Sequence, residues 1–231
     1  MSEITSEKFI ATMRAKGVFA AVDEFHQALA GSAAANAERF HKALLDAYWK
    51  RKHLPAVVAL GTAGIHYAVA QAAAIPGDAH ELRSLAKAMS YDLGSFTWPG
   101  WDEPGIVPTL EQITLGLDAA RLNLQLAMEL GKPAERVRGA HWLLGAQLLA
   151  SRAEGSVTEA TKHLRQAVPP ESDPHYLMFS GYVLLARRMA QDSSAEGPWE
   201  ALIKELAEQP TEAAKYGLQQ LQGAARVLMG S

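Results

Sequence analysis

Between residues 108 and 133 the chain reads PTLEQITLGLDAARLNLQLAMELGKP, and Leu110, Ile113, Leu117, Ala120, Leu124 and Ala127 recur in it at steps of three and four. That spacing gathers them into one apolar stripe along an α-helix. Pro108 suits a first helical turn, and Gly131 with Pro133 makes a stop. Elsewhere β-branched residues are scattered, and no long apolar–polar alternation bounded by hairpin turns occurs. The expected fold class is therefore all-α.

The same punctuation predicts helices over 6–30 (with a break possible at Gly17), 36–52, 54–75, 78–94, 108–130, 133–154, 156–168, 173–192, 197–208 and 210–229. Most connections are short, which favours antiparallel packing of consecutive helices, a string of helical hairpins within one domain spanning 1–231. The exception is the aromatic, Pro- and Gly-rich loop at 95–107.

Internal similarity sharpens this picture. LLGAQLL around Gly145, FSGYVLL around Gly181 and KYGLQQL around Gly217 each carry a mid-helix glycine, 36 residues from the next. Because such a glycine costs about 1 kcal/mol relative to alanine, its periodic use predicts close approach of a neighbouring helix. Residues 133–170 resemble a tetratricopeptide repeat. Leu144-Gly145 matches that family's Leu-Gly pair, Leu148 its following large residue, and Ala160, Leu164 and Ala167 its small-large-small pattern, with Pro169 or Pro170 closing the unit. His141 stands where the family favours a large apolar residue, and Trp142 comes one place late. The resemblance implies a right-handed stack of antiparallel helix pairs that presents a curved face to a protein or peptide partner.

Composition removes several function classes. The chain has 48% hydrophobic and 20% charged residues, ordinary for a globular core, and a formal charge of −3 without long like-charge runs, so nucleic acid is not an expected partner. The absence of cysteine removes thiolate chemistry and disulfides. No stretch approaches eighteen uninterrupted apolar residues, and MSEITSEKF lacks the basic start and apolar run of a secretory signal; the expectation is a cytoplasmic protein without a membrane partner.

The densest chemistry lies in SFTWPGWDEPG, residues 95–105. Phe96, Trp98 and Trp101 can plug the space between helix layers. Alternatively, Trp98 and Trp101 beside Asp102 and Glu103 make a ligand site with apolar walls and an acidic rim. On either reading at least one of the two indoles is expected to be buried, with the acids at the edge. GIHYAVA, with His66 and Tyr67, and GAHWLLG, with His141 and Trp142, each set a titratable ring beside an aromatic and complete the set of candidate ligand-binding residues. Two acid-x-x-His pairs, Asp23 with His26 and Glu38 with His41, each share a helix face, and only the second strictly matches the Glu-x-x-His pattern of carboxylate-bridged metal bundles. Two such pairs are near the number expected by chance, and no metal or other cofactor is expected. YWKRKH, 48–53, sets cations where a helix ends, a capping arrangement.

No nucleophile elbow and no phosphate-binding glycine loop occurs. The function expected from sequence is a protein- or peptide-binding helical scaffold, with a small-molecule binder or enzyme using a pocket under the 95–105 loop as the alternative.

Overall fold

The structure, a computed structural model, describes residues 5–230. Among them are eleven α-helices, three short 3-10 turns and no strand. The helices are α1 (Ser6–Lys16), α2 (Val18–Gln27), α3 (Ala33–Trp49), α4 (Leu54–Ala74), α5 (Ala79–Phe96), α6 (Leu110–Glu129), α7 (Ala134–Ser151), α8 (Ser156–Ala167), α9 (Tyr176–Met189), α10 (Glu196–Glu208) and α11 (Glu212–Met229). The all-α expectation is met. They form two compact units: residues through Thr97 with Asp118–Gly131, and Trp98–Leu117 with the residues from Lys132 onward.

In the first unit, the predicted first helix is two. Gly17 sits at φ 90°, where only glycine is comfortable, and its N–H closes α1 on the Met13 carbonyl. Helix α4 is the one among the described residues long and apolar enough to cross a membrane. Its neighbours account for that composition: α4 packs against both α3 and α5 and buries Val57, Leu60, Ile65 and Ala68. Two glycines permit the approach. A Cβ on Gly61 would lie 2.9 Å from Leu44 Cδ1, and one on Gly64 would lie 2.6 Å from Phe40 Cβ. In the YWKRKH segment Lys50 is the residue at which α3 ends, its ammonium turned to Asp46 at 2.6 Å, and the His53 ring accepts the Ala56 N–H at the start of α4.

In α6, which contributes residues to both units, Ile113, Leu117, Ala120, Leu124 and Ala127 are buried as the stripe requires; Leu110, in the first turn, is exposed.

The second unit pairs consecutive helices: α7 with α8, α8 with α9, α9 with α10 and α10 with α11, while α9 also meets α11. The periodic glycines lie at these contacts. A Cβ would fall 2.6 Å from Leu164 Cγ at Gly145, 2.3 Å from Leu221 Cδ1 at Gly181, and 3.1 Å from Met178 Cβ at Gly217. Burial of Ala160, Leu164 and Ala167 along α8 follows the small-large-small spacing.

Candidate functional site

Ser95 and Phe96, expected in the loop, are the last residues of α5, so the loop itself begins at Thr97. Trp98 is 1% exposed, and its Nε1–H donates to the Ala146 carbonyl of α7 at 3.1 Å. Its ring lies 5.1 Å from Trp101, 5.5 Å from Trp142 and 5.7 Å from Tyr182, all edge-on. Trp101 to Trp142 is 5.5 Å and Trp142 to Tyr182 is 5.7 Å. Centroids at these separations are rings in direct contact, with nothing between them. Gly100 is required by the same packing, since a Cβ there would lie 2.3 Å from the Trp98 ring.

Two polar atoms of the cluster, Trp142 Nε1 and Tyr182 Oη, are buried without a hydrogen-bond partner. Burial, assisted by nearby Tyr216, pushes the Tyr182 phenol well above the ordinary tyrosine range. It stays a neutral phenol.

The acids occupy the edge. Asp102 is exposed and adopts the left-handed backbone conformation at φ 48°. Its Oδ2 accepts from Arg226 Nε at 2.9 Å and also from Arg226 Nη2. Gly223 of α11 faces the loop, where a Cβ would make ordinary contact at 3.5 Å with both Asp102 Cβ and the Gly100 carbonyl oxygen. Glu103 is half-buried, and its carbonyl accepts the Ile106 N–H at 3.1 Å.

Trp98, Trp101 and Trp142 are thus brought together, joined by Tyr182 from the FSGYVLL segment of α9, where no local pattern marks it as their partner. His141 faces His163 instead, their Nδ1 atoms 2.9 Å apart and their rings stacked at 26°. Burial lowers the pKa of both, with mutual repulsion adding at His141.

His66 and Tyr67 belong to the first unit. His66 is exposed on α4, and Tyr67 Oη accepts from Asn36 Nδ2 at 3.2 Å. Nor do the acid-x-x-His pairs converge: the His26 ring stands 5.1 Å from Phe40, whereas His41 Nε2 meets Asp92 Oδ2 at 2.6 Å. Among the described residues no three His, Asp or Glu side chains gather as a metal site would need.

A concavity lies elsewhere, in the first unit. A groove of about 790 Å³ in the first unit runs along one face of α3, walled by the start of α1 and the end of α2. Its apolar lining comes from Phe25 and Ala43, which are buried, Ala28 and Leu29, which are half-buried, and the exposed Ala35, and charged side chains supply most of the rest. Local chemistry holds the walls. Ser6 Oγ donates to Asp46 Oδ2, Arg51 Nη2 meets Glu7 Oε2 at 2.9 Å, and Phe25 packs on Phe40 at 4.6 Å. Lys50 and then Ser6 hold the Asp46 carboxyl below the usual aspartate range. The signal for this face was present in the sequence: Glu38, Lys42, Asp46 and Lys50 recur at four-residue steps, with Arg39 three residues before Lys42. Such a stripe reads as an ordinary solvated helix face until a wall stands beside it.

Comparison with protein-family models, with curated proteins and with solved structures returned no match for this chain.

Proposed function

We propose that the chain is a recognition protein, a right-handed stack of antiparallel helix pairs akin to tetratricopeptide repeats, whose groove along α3 receives an extended segment of a partner protein. The single observation carrying this reading is the groove itself: solvent-open, lined by apolar and charged side chains, about 790 Å³ in volume. The α3 face from Ala35 to Lys50 runs about 22 Å at 1.5 Å per residue. That length accommodates roughly six or seven residues of extended chain at about 3.3 Å each. Pairwise packing of consecutive helices in the second unit supports the stacked architecture. On this reading the aromatic loop is structural: its rings fill their own space and leave no room among them for a ligand. The partner is protein rather than nucleic acid or membrane, and the working compartment is the cytoplasm.

The test is selection of phage-displayed random dodecapeptides on the purified chain, followed by fluorescence-polarisation titration of the enriched peptides. Ala35 is exposed and Leu29 half-buried, so Ala35→Trp and Leu29→Asp obstruct the groove without cutting into the core. Both should weaken binding at least about tenfold, a loss of about 1.4 kcal/mol. Selected peptides indifferent to both substitutions would move the binding face elsewhere.

A further inference from the structure

The rim of the groove carries a charge pattern that specifies its occupant. Of its cations, Lys42 lies 3.6 Å from Glu38, Lys50 lies 2.6 Å from Asp46, and Arg51 lies 2.9 Å from Glu7. Each rim carboxylate therefore has its cation. Arg39 does not share in this: it is exposed, lines the groove, and makes no ion pair among the described residues. It lies one helical turn from both Ala35 and Ala43, so its guanidinium is based between the two alanines that α3 contributes to the lining, the first exposed and the second buried.

An arginine in that position offers a planar fork of donors matched to a carboxylate, while the alanines and Leu29 beside it accept apolar side chains. A basic segment would meet the unpaired Arg39 without a free carboxylate to answer it.

We propose that the groove selects an extended acidic-apolar peptide, in which an Asp or Glu carboxylate pairs with Arg39 and flanking apolar side chains pack on the apolar lining. This inference rests on the groove being the binding face, and it adds the partner's chemistry. Arg39 is the specificity determinant, and of the paired cations around it Arg51, through Glu7, ties the α1 wall to the end of α3.

The experiment repeats the dodecapeptide selection with the parent chain and with Arg39→Glu as baits, and titrates the enriched peptides against Arg39→Gln, Lys42→Gln, Ala35→Trp and Leu29→Asp. Circular dichroism melts verify that each variant folds, as the exposed positions of Arg39, Lys42 and Ala35 and the half-buried position of Leu29 should allow. The parent should enrich Asp or Glu flanked by apolar residues, and Arg39→Gln should weaken these peptides about tenfold, the scale of one lost charge-assisted hydrogen-bonded pair. Lys42→Gln should change affinity less than about threefold, as for an exposed surface pair, and the Arg39→Glu bait should enrich Lys or Arg instead. Peptides blocked by Ala35→Trp and Leu29→Asp but without acidic bias, or indifferent to Arg39→Gln, would overturn the carboxylate assignment and leave the groove standing. Peptides insensitive to the groove-filling substitutions, or no enrichment at all, would overturn both.

Discussion

His141 on α7 and His163 on α8 hold their Nδ1 atoms 2.9 Å apart, so one ring must donate and the other accept. The pair can be neutral or carry one added proton, but a second proton removes the acceptor and sets two cations in contact. Burial is the first cause lowering both pKa values from 6.5, and around His163 the Glu159 charge opposes the shift while Lys162 reinforces it. A folded-state pKa below the unfolded one means the unfolded chain binds more protons, so this stability is present above about pH 6.5 and is lost as pH falls through the folded values. His53, also lowered chiefly by burial, acts in the same direction, whereas the lowered carboxylates Glu24, Asp46 and Asp192 act only at more acid pH.

The expected outcome is a melting temperature that drops between pH 7.5 and 5.5, with a shallower drop in His141→Gln/His163→Gln. Parallel curves for parent and double variant would show that the pair does not titrate as described.

Trp98→Ala should lower stability by about 3–5 kcal/mol, the range for emptying a buried aromatic site, because the indole is enclosed and hydrogen-bonded to Ala146. Trp98→Phe keeps a ring but removes the Nε1–H that supplements the helical bond to the Ala146 carbonyl inside α7, and should cost about 0.5–1.5 kcal/mol for the lost hydrogen bond together with part of the packing. Trp101, only half-buried, should be the more tolerant of the two. Urea unfolding followed by far-UV circular dichroism measures all three, and equal tolerance at Trp98 and Trp101 would contradict the plug.

Glycine substitutions should sort by what the new methyl meets. Gly64→Ala confronts Phe40 Cβ at 2.6 Å, an atom that cannot rotate away, and should cost about 1–3 kcal/mol by overpacking. Gly181→Ala meets the end of Leu221, which can turn aside, so it should cost less; Gly181→Leu and Gly145→Leu should cost about 1–3 kcal/mol. Gly139, inside α7 with nothing within 4 Å of the added carbon, should gain about 0.5–1 kcal/mol on change to Ala through helix propensity. A Gly139→Ala variant less stable than the parent would contradict the open space assigned to it.

At Asp102 backbone and charge can be separated. Asn tolerates the left-handed conformation and removes only the exposed ion pair to Arg226, so Asp102→Asn should change stability by less than about 1 kcal/mol. Asp102→Val puts a β-branched residue at φ 48°, with a strain of about 1–3 kcal/mol. Equal losses in the two variants would make the ion pair, not the backbone, the operative feature.

What the sequence determined by itself was local: helical stripes, their Pro and Gly stops, the break at Gly17, and the glycines at Gly145, Gly181 and Gly217 marking close approach. These are legible because helical hydrogen bonds and side-chain faces repeat within a few residues. Burial of Trp98 was legible too, since an indole in a restricted Pro-Gly loop has much apolar surface to remove from water. Tertiary structure alone decided which distant groups meet: Trp98 with Ala146, His141 with His163, and Asp102 with Arg226. It also made the groove, because the charged stripe of α3 becomes a rim only when α1 and α2 stand beside it, held by Ser6 to Asp46 and Glu7 to Arg51. No period in the chain encodes those pairs, for packing brings them together across tens of residues.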